Sequence, residues 1–259
     1  MPDGAVARAR PRTIALDGPA ASGKSTVGAR LAGRLGMLCF DTGLLYRALT
    51  VLALRAGVSA DDAAALAALA DTAAIDVVPD PGHRLGCRVT SRGDDVTDAL
   101  HGPAVDAAVS AVSGHAAVRA ALLGAQRRVA EHTAVIMLGR DIGTVVLPDA
   151  DLKVYLDASP PARARRRYRE RLALGEPAVY GDVLRATLER DARDAGRSIA
   201  PLAVAPDAVV VDTDRCDVES VVAHLAALVA RWPDPLTTGG GPAPCEPPAA
   251  SAPAAAAVA

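Results

Sequence analysis

Aromatic side chains are nearly absent from this chain: one Phe, one Trp and four Tyr stand among 259 residues. That scarcity argues against a nucleic-acid partner bound by base stacking. It also requires a core of small aliphatic side chains packed at close range. A dominant charge is missing too. Lys and Arg number 28 against 30 Asp and Glu, a net charge of -2, so any basic site is local and nothing draws the chain in bulk to nucleic acid or an anionic membrane. No apolar run approaches the ~20 residues that a membrane helix needs. Cys39, Cys87, Cys216 and Cys245 form no C-x-x-C pair and have no His at metal-ligand spacing, which predicts free thiols in a reducing compartment. Arg8, Arg10 and Arg12 precede no apolar stretch of the signal-peptide kind, and a cytoplasmic location is expected.

What is present is alternation. Short apolar runs at 13–16, 38–40, 135–138, 152–156 and 209–211 read as buried strands. Between them, helical patterns are expected at 24–35, 44–56, 104–131, 160–174, 182–194 and 218–231. Ser59 with Asp62 three residues on resembles a capping box for one more helix. This order predicts an α/β fold with a mostly parallel five-stranded sheet flanked by helices. One stretch breaks the pattern. Three β-like pieces at 75–78, 87–90 and 96–97, separated by Pro-Gly and Arg-Gly-Asp turns, predict a small antiparallel β insert within about 74–103. Residues 1–11 are expected to be a disordered arm. The Ala/Pro-rich residues 233–259 are expected to be a disordered tail, since they bury too little to offset their ordering entropy.

The strongest local signal is Gly18-Pro19-Ala20-Ala21-Ser22-Gly23-Lys24-Ser25, followed by Thr26. It matches G-x-x-x-x-G-K-[ST] between a predicted strand and a predicted helix, the context that a phosphate-binding loop requires. Glycines let backbone N–H groups face a phosphate, and the helix N-terminus adds positive potential. Lys24 is placed for the β- and γ-phosphates of ATP, Ser25 for Mg²⁺. Asp17, directly before the loop, is placed to position a Mg²⁺-bound water.

Three further clusters carry arginine where phosphate binding would use it. They are Asp41-Thr42-Gly43-Leu44-Leu45-Tyr46-Arg47, Gly139-Arg140-Asp141-Ile142-Gly143, and the stretch from Arg190 through Asp194 and Arg197 to Pro201. The first two follow predicted strands, at the sheet edge where α/β folds bind ligands. Together with D-T-G-x-x-Y-R, G-R-D-I-G-T-V-V-x-P-D-A, L-D-A-S and R-D-x-R-D-x-x-R-x-x-A-P-L, the loop resembles bacterial cytidylate kinases over residues 14–231. The β insert resembles the small antiparallel domain of that family.

The resemblance implies a nucleoside monophosphate kinase with ATP and CMP or dCMP as substrates, Mg²⁺ as cofactor, and a monomeric state. Thr42, Arg47, Arg140 and Arg197 fall where the family holds the monophosphate, and Arg190 and Asp194 where it holds the sugar. Ser110 and Arg119 fall at base-reading positions. Asp141 can accept from the exocyclic amino group of cytosine, which uracil lacks. Tyr46 reads either as a ligand contact or as a packing aromatic. The arginine-rich helix after Ser159-Pro160 reads either as a solvated face or, by the resemblance, as part of a lid over about 159–181 that carries Arg163, Arg166 and Arg167, with only one or two of its arginines expected to touch the transferring group. Lys24, Arg140 and Arg197 are the groups expected to carry catalysis. Kinases for UMP, AMP or shikimate, and an ATP-hydrolysing switch, are the competing readings.

Overall fold

The computed structural model describes residues 10–232 except 81, 84, 174 and 197–201, together with 243–244; the side chains of 193–195 are outside the description. Five strands form a parallel sheet: β1 (Thr13–Asp17), β2 (Leu38–Asp41), β6 (Val135–Gly139), β7 (Leu152–Asp157) and β8 (Val209–Asp212). Their spatial order is β2-β6-β1-β7-β8, so β1 lies at the centre. A two-residue strand, β9 (Ala243–Pro244), pairs with the outer side of β8, inside the segment expected to be a disordered tail. The rest of that segment, like most of the expected N-terminal arm, lies outside the described residues.

Burial on both faces explains the near-continuous apolar strands. Ile14, Leu16, Ile136 and Leu138 point to one face, packed with Val27 and Leu31 of α1 (Lys24–Leu35) and Leu225 of α8 (Val218–Arg231). Ala15, Phe40 and Met137 point to the other, toward Leu45 and Leu49 of α2 (Gly43–Ala56) and Leu122 of α5 (Ala116–His132). This alternation is the two-residue period of a strand. Placing β1 centrally puts its C-terminal end, and the loop that follows, in the middle of one sheet edge.

The insert is a three-stranded antiparallel sheet of β3 (Ile75–Pro79), β4 (Cys87–Ser91) and β5 (Asp94–Asp95). Its third strand is at Asp94–Asp95, not at the expected 96–97. Arg92 and Gly93, both at positive φ, close a two-residue hairpin. Asp95 Oδ1 then accepts from Thr97 N at 2.8 Å, which turns the chain into a 3₁₀ segment at Thr97–His101. The expected capping box is also displaced. Asp62 itself caps α3 (Ala63–Thr72), accepting from Ala65 N at 3.0 Å, while Ser59 Oγ serves Asp61 N. Helical residues near 104–131 divide into α4 (Pro103–Val112) and α5, bent by 104°. Two more helices, α6 (Pro160–Ala173) and α7 (Tyr180–Ala195), pack on one another. No single described helix is long and apolar enough to cross a membrane.

Candidate active site

The loop from Gly18 to Gly23 leaves β1 and enters α1. Three of its residues hold positive φ: Gly18, Ala21 and Gly23, the last at 102°. Gly18 has φ 147°, and a Cβ there would sit 2.2 Å from Leu156 O. Ala21 holds φ 59°, the left-handed region that L-residues enter at a cost.

The loop's carbonyls are held from outside by cations. Lys24 Nζ donates to Gly18 O and Pro19 O, both at 2.7 Å. Arg140 Nη1 donates to Gly18 O at 2.9 Å, Arg163 Nη1 to Ala20 O at 3.2 Å, and Arg166 Nη1 to Ser22 O at 3.2 Å. In a trans peptide the N–H points opposite the carbonyl, so anchoring the carbonyls orients the amides as well. Burial, with the positive charge of Arg140 next in weight, holds the Lys24 ammonium well below the usual lysine range. Ser25 and Thr26 are exposed on the first turn of α1.

Beyond the loop, buried Asp141 and partly buried Arg119 form a pair at 2.6 Å although 22 residues separate them. The Arg119 guanidinium lies 5.4 Å from the Tyr46 ring centroid, and Gln126 Nε2 donates to the Tyr46 hydroxyl at 3.1 Å. Tyr46 is thus a buried platform beneath the Arg119 guanidinium. Arg119 Nη1 also donates to Ser113 O at 3.4 Å. Ser110 stands on the exposed side of α4, its carbonyl accepting from Ser113 Oγ. Thr42 is buried and donates to Leu138 O at 3.0 Å. Arg47 donates to Leu100 O at 2.9 Å and pairs with Asp106 at 2.6 Å.

The arginine run of α6 separates by face. Arg163, 2% exposed, makes a two-pronged contact with Asp191 at 2.9 and 2.5 Å in addition to its bond to the loop. Arg166 reaches Thr213 O at 2.5 Å. Arg167, also on α6, pairs with Glu170 on an exposed face at 2.8 Å. Arg190 is exposed on α7, close enough to Lys24 to help lower its proton affinity. Arg197 lies outside the described residues, as does the Asp194 side chain.

Asp17 ends β1 directly before the loop and is buried. Both its oxygens accept backbone amides, from Ile142 at 2.9 Å and Gly143 at 2.8 Å. Burial, outweighing those two bonds, raises its carboxyl to about 6. Gln126, Asp106, Asp191 and Thr213 were absent from the sequence-based site. Only Asp191 carried a signal, as the unassigned acid in Arg190-Asp191-Ala192-Arg193-Asp194.

Magnesium bound with a triphosphate keeps several waters and needs only one or two protein oxygens. The described residues hold no cluster of three or more His, Cys, Asp or Glu able to cage a metal. An exposed Ser25 hydroxyl beside the loop fits a cation carried in by the nucleotide.

The cytidylate kinase family model matches residues 14–231. The chain is 46% identical over 217 residues to a cytidylate kinase from Geobacillus kaustophilus, covering 84% of this chain and 96% of that protein. It is 44% identical over 216 residues to a cytidylate kinase from Geobacter sulfurreducens, covering 83% and 91%. A third cytidylate kinase, from Geobacillus thermodenitrificans, is 46% identical over 216 residues, covering 83% and 95%.

Proposed function

The chain belongs to the cytidylate kinase family, and from that premise we propose that it transfers the γ-phosphoryl group of ATP to CMP or dCMP, giving ADP and the diphosphate. The observation that carries the acceptor is the buried Asp141–Arg119 pair, joined through Arg140 and Gly18 O to the phosphate-binding loop. Asp141 accepts from the cytosine amino group, and Arg119 offers donors to the base's acceptor edge. Ser110 belongs to the same base-reading set. Thr42, Arg47, Arg140 and Arg197 hold the acceptor phosphate, and Arg190 with Asp194 holds the sugar.

The attacking oxygen belongs to a phosphate that is already ionised, so no side chain has to remove a proton. The protein's contribution is alignment and charge. Backbone amides of residues 18–26 receive the triphosphate, and Lys24 leaves the Gly18 and Pro19 carbonyls for phosphate oxygens. Arg140, placed between the loop and the acceptor pocket, neutralises charge on the moving group. Arg163 and Arg166, on the lid formed by α6 and the start of α7, close the far side. Ser25 would hold Mg²⁺, which supplies further charge neutralisation between the phosphates when bound. We take the protein to act as a monomer in the cytoplasm; Cys39, Cys87 and Cys216 are free thiols, in keeping with a reducing compartment.

A coupled assay of ADP release with Mg-ATP tests the proposal against CMP, dCMP, UMP, AMP and no acceptor. Fast turnover confined to CMP and dCMP is expected. Turnover with AMP or UMP instead would overturn the base pocket, and turnover without acceptor would overturn the transfer.

A further inference from the structure

Asp17 ends β1, and its carboxylate, 5% exposed, spends both oxygens on amides of another segment, those of Ile142 and Gly143. Those amides open the π turn at Ile142–Val146, in which Val145 N and Val146 N both return to Asp141 O. First-turn amides have no partner within their own turn, so a carboxylate reaching across from the neighbouring strand satisfies them. The next residue of the same strand end acts on the other side, since Gly18 O accepts from Arg140. Asp141 is therefore bracketed: Arg140 before it and Ile142 and Gly143 after it are all tied to Asp17-Gly18. The fit is close. A Cβ on Gly143 would lie 3.1 Å from Lys153 Cδ and 3.4 Å from Asp17 Oδ2.

We propose that Asp17 is a positioning residue for the acceptor site: by holding the Ile142 and Gly143 amides, it fixes the Asp141 carboxylate and the Arg140 guanidinium relative to the phosphate-binding loop. It touches no substrate and acts through the 140–143 segment. The inference rests on the reading of Asp141 and Arg140 as acceptor-side groups. Its chemistry is a matter of acceptor count. A carboxylate presents two acceptors to two N–H groups, whereas the amide of Asp17→Asn presents one acceptor and sets a donor against the other N–H. The bracket opens at one rung while the side chain keeps its volume.

The test compares wild type, Asp17→Asn and Gly143→Ala by steady-state kinetics with CMP and UMP, alongside amide hydrogen exchange at Ile142 and Gly143. Asp17→Asn is expected to raise KM for CMP roughly tenfold and to lower the CMP-over-UMP ratio of kcat/KM by about the same factor. KM for ATP stays within about twofold, and both amides exchange faster. Gly143→Ala crowds the same bracket from the other side and moves the same quantities in the same direction by about threefold. A role in stability alone would lower Tm and leave the ratio untouched. A folded Asp17→Asn with wild-type KM for CMP and wild-type ratio overturns the proposal. Should Asp17→Asn fail to fold, an unchanged ratio in Gly143→Ala overturns it equally. A wild type that does not prefer CMP defeats the acceptor reading instead. The positioning role is then judged by the exchange of the two amides and by KM for whichever acceptor is used.

Discussion

Most cations around the donor loop and those around the acceptor pocket are held by different kinds of partner; Arg163 combines the two, on the Ala20 carbonyl and the Asp191 carboxylate. Lys24 rests on the carbonyls of Gly18 and Pro19, and Arg166 on the carbonyls of Ser22 and Thr213. Arg119 and Arg47 instead meet full negative charges, on Asp141 and Asp106. A carbonyl dipole orients a cation without cancelling its charge; a carboxylate cancels it. The donor side therefore presents positive potential to any polyanion. On the proposed assignment, the acceptor side selects a ligand that can share or replace carboxylates already in place. Attraction resides in one region and selection in the other, which is how a site discriminates by building in a cost for the wrong partner.

The largest expected effect comes from removing the donor-side charge. Lys24→Ala should reduce kcat roughly a thousandfold while circular dichroism and Tm report an intact fold. Turnover near wild type would mean that the loop's potential does not come from this lysine. Next is Asp141→Ala, which deletes the selecting carboxylate and leaves Arg119 buried beside it. The ratio of kcat/KM for CMP over UMP should fall by on the order of tenfold to a hundredfold, read from competing-substrate assays. A smaller change sharpens the contrast. Asp106 is more than half exposed, so Asp106→Asn removes a competitor for Arg47 without burying a charge. KM for CMP should drop about threefold, and a rise would show that Asp106 orients Arg47 more than it competes with phosphate. Arg167→Ala should change kcat and KM by less than about twofold, because its exposed pair with Glu170 faces neither region. A clear loss there would mean that α6 rotates when the site closes.

The five parallel strands were legible in the sequence because each is buried on both faces and reads as an apolar run between turn residues. The phosphate-binding loop was legible because its function depends on contiguous backbone. The acceptor side was legible only in part. Its arginines stood out, as did those of α6, but their partners come from distant segments: Asp106 for Arg47 on the acceptor side, Asp191 for Arg163 and Thr213 for Arg166 beside the loop. No local period encodes such pairs. Asp17 is the extreme case, since its partners are backbone amides that leave no trace in side-chain pattern. Which arginines of α6 meet the loop was not legible for a different reason. On a helix, neighbouring arginines point to different faces, and only packing decides which face meets the loop. The Ser59 cap and the strand at 96–97 each shifted because an Asp captured a backbone N–H first, at Ala65 and at Thr97.

The pairing of Ala243–Pro244 along β8 bears on what the sheet offers at that edge. A parallel sheet that ends on a bare strand offers a row of unpaired donors and acceptors to any other chain. Here the outermost rung is two residues long, and its second residue has no N–H to give. A strand added beside this rung would therefore receive no N–H from Pro244, so the ladder that runs through the five parallel strands loses a donor at its outer edge.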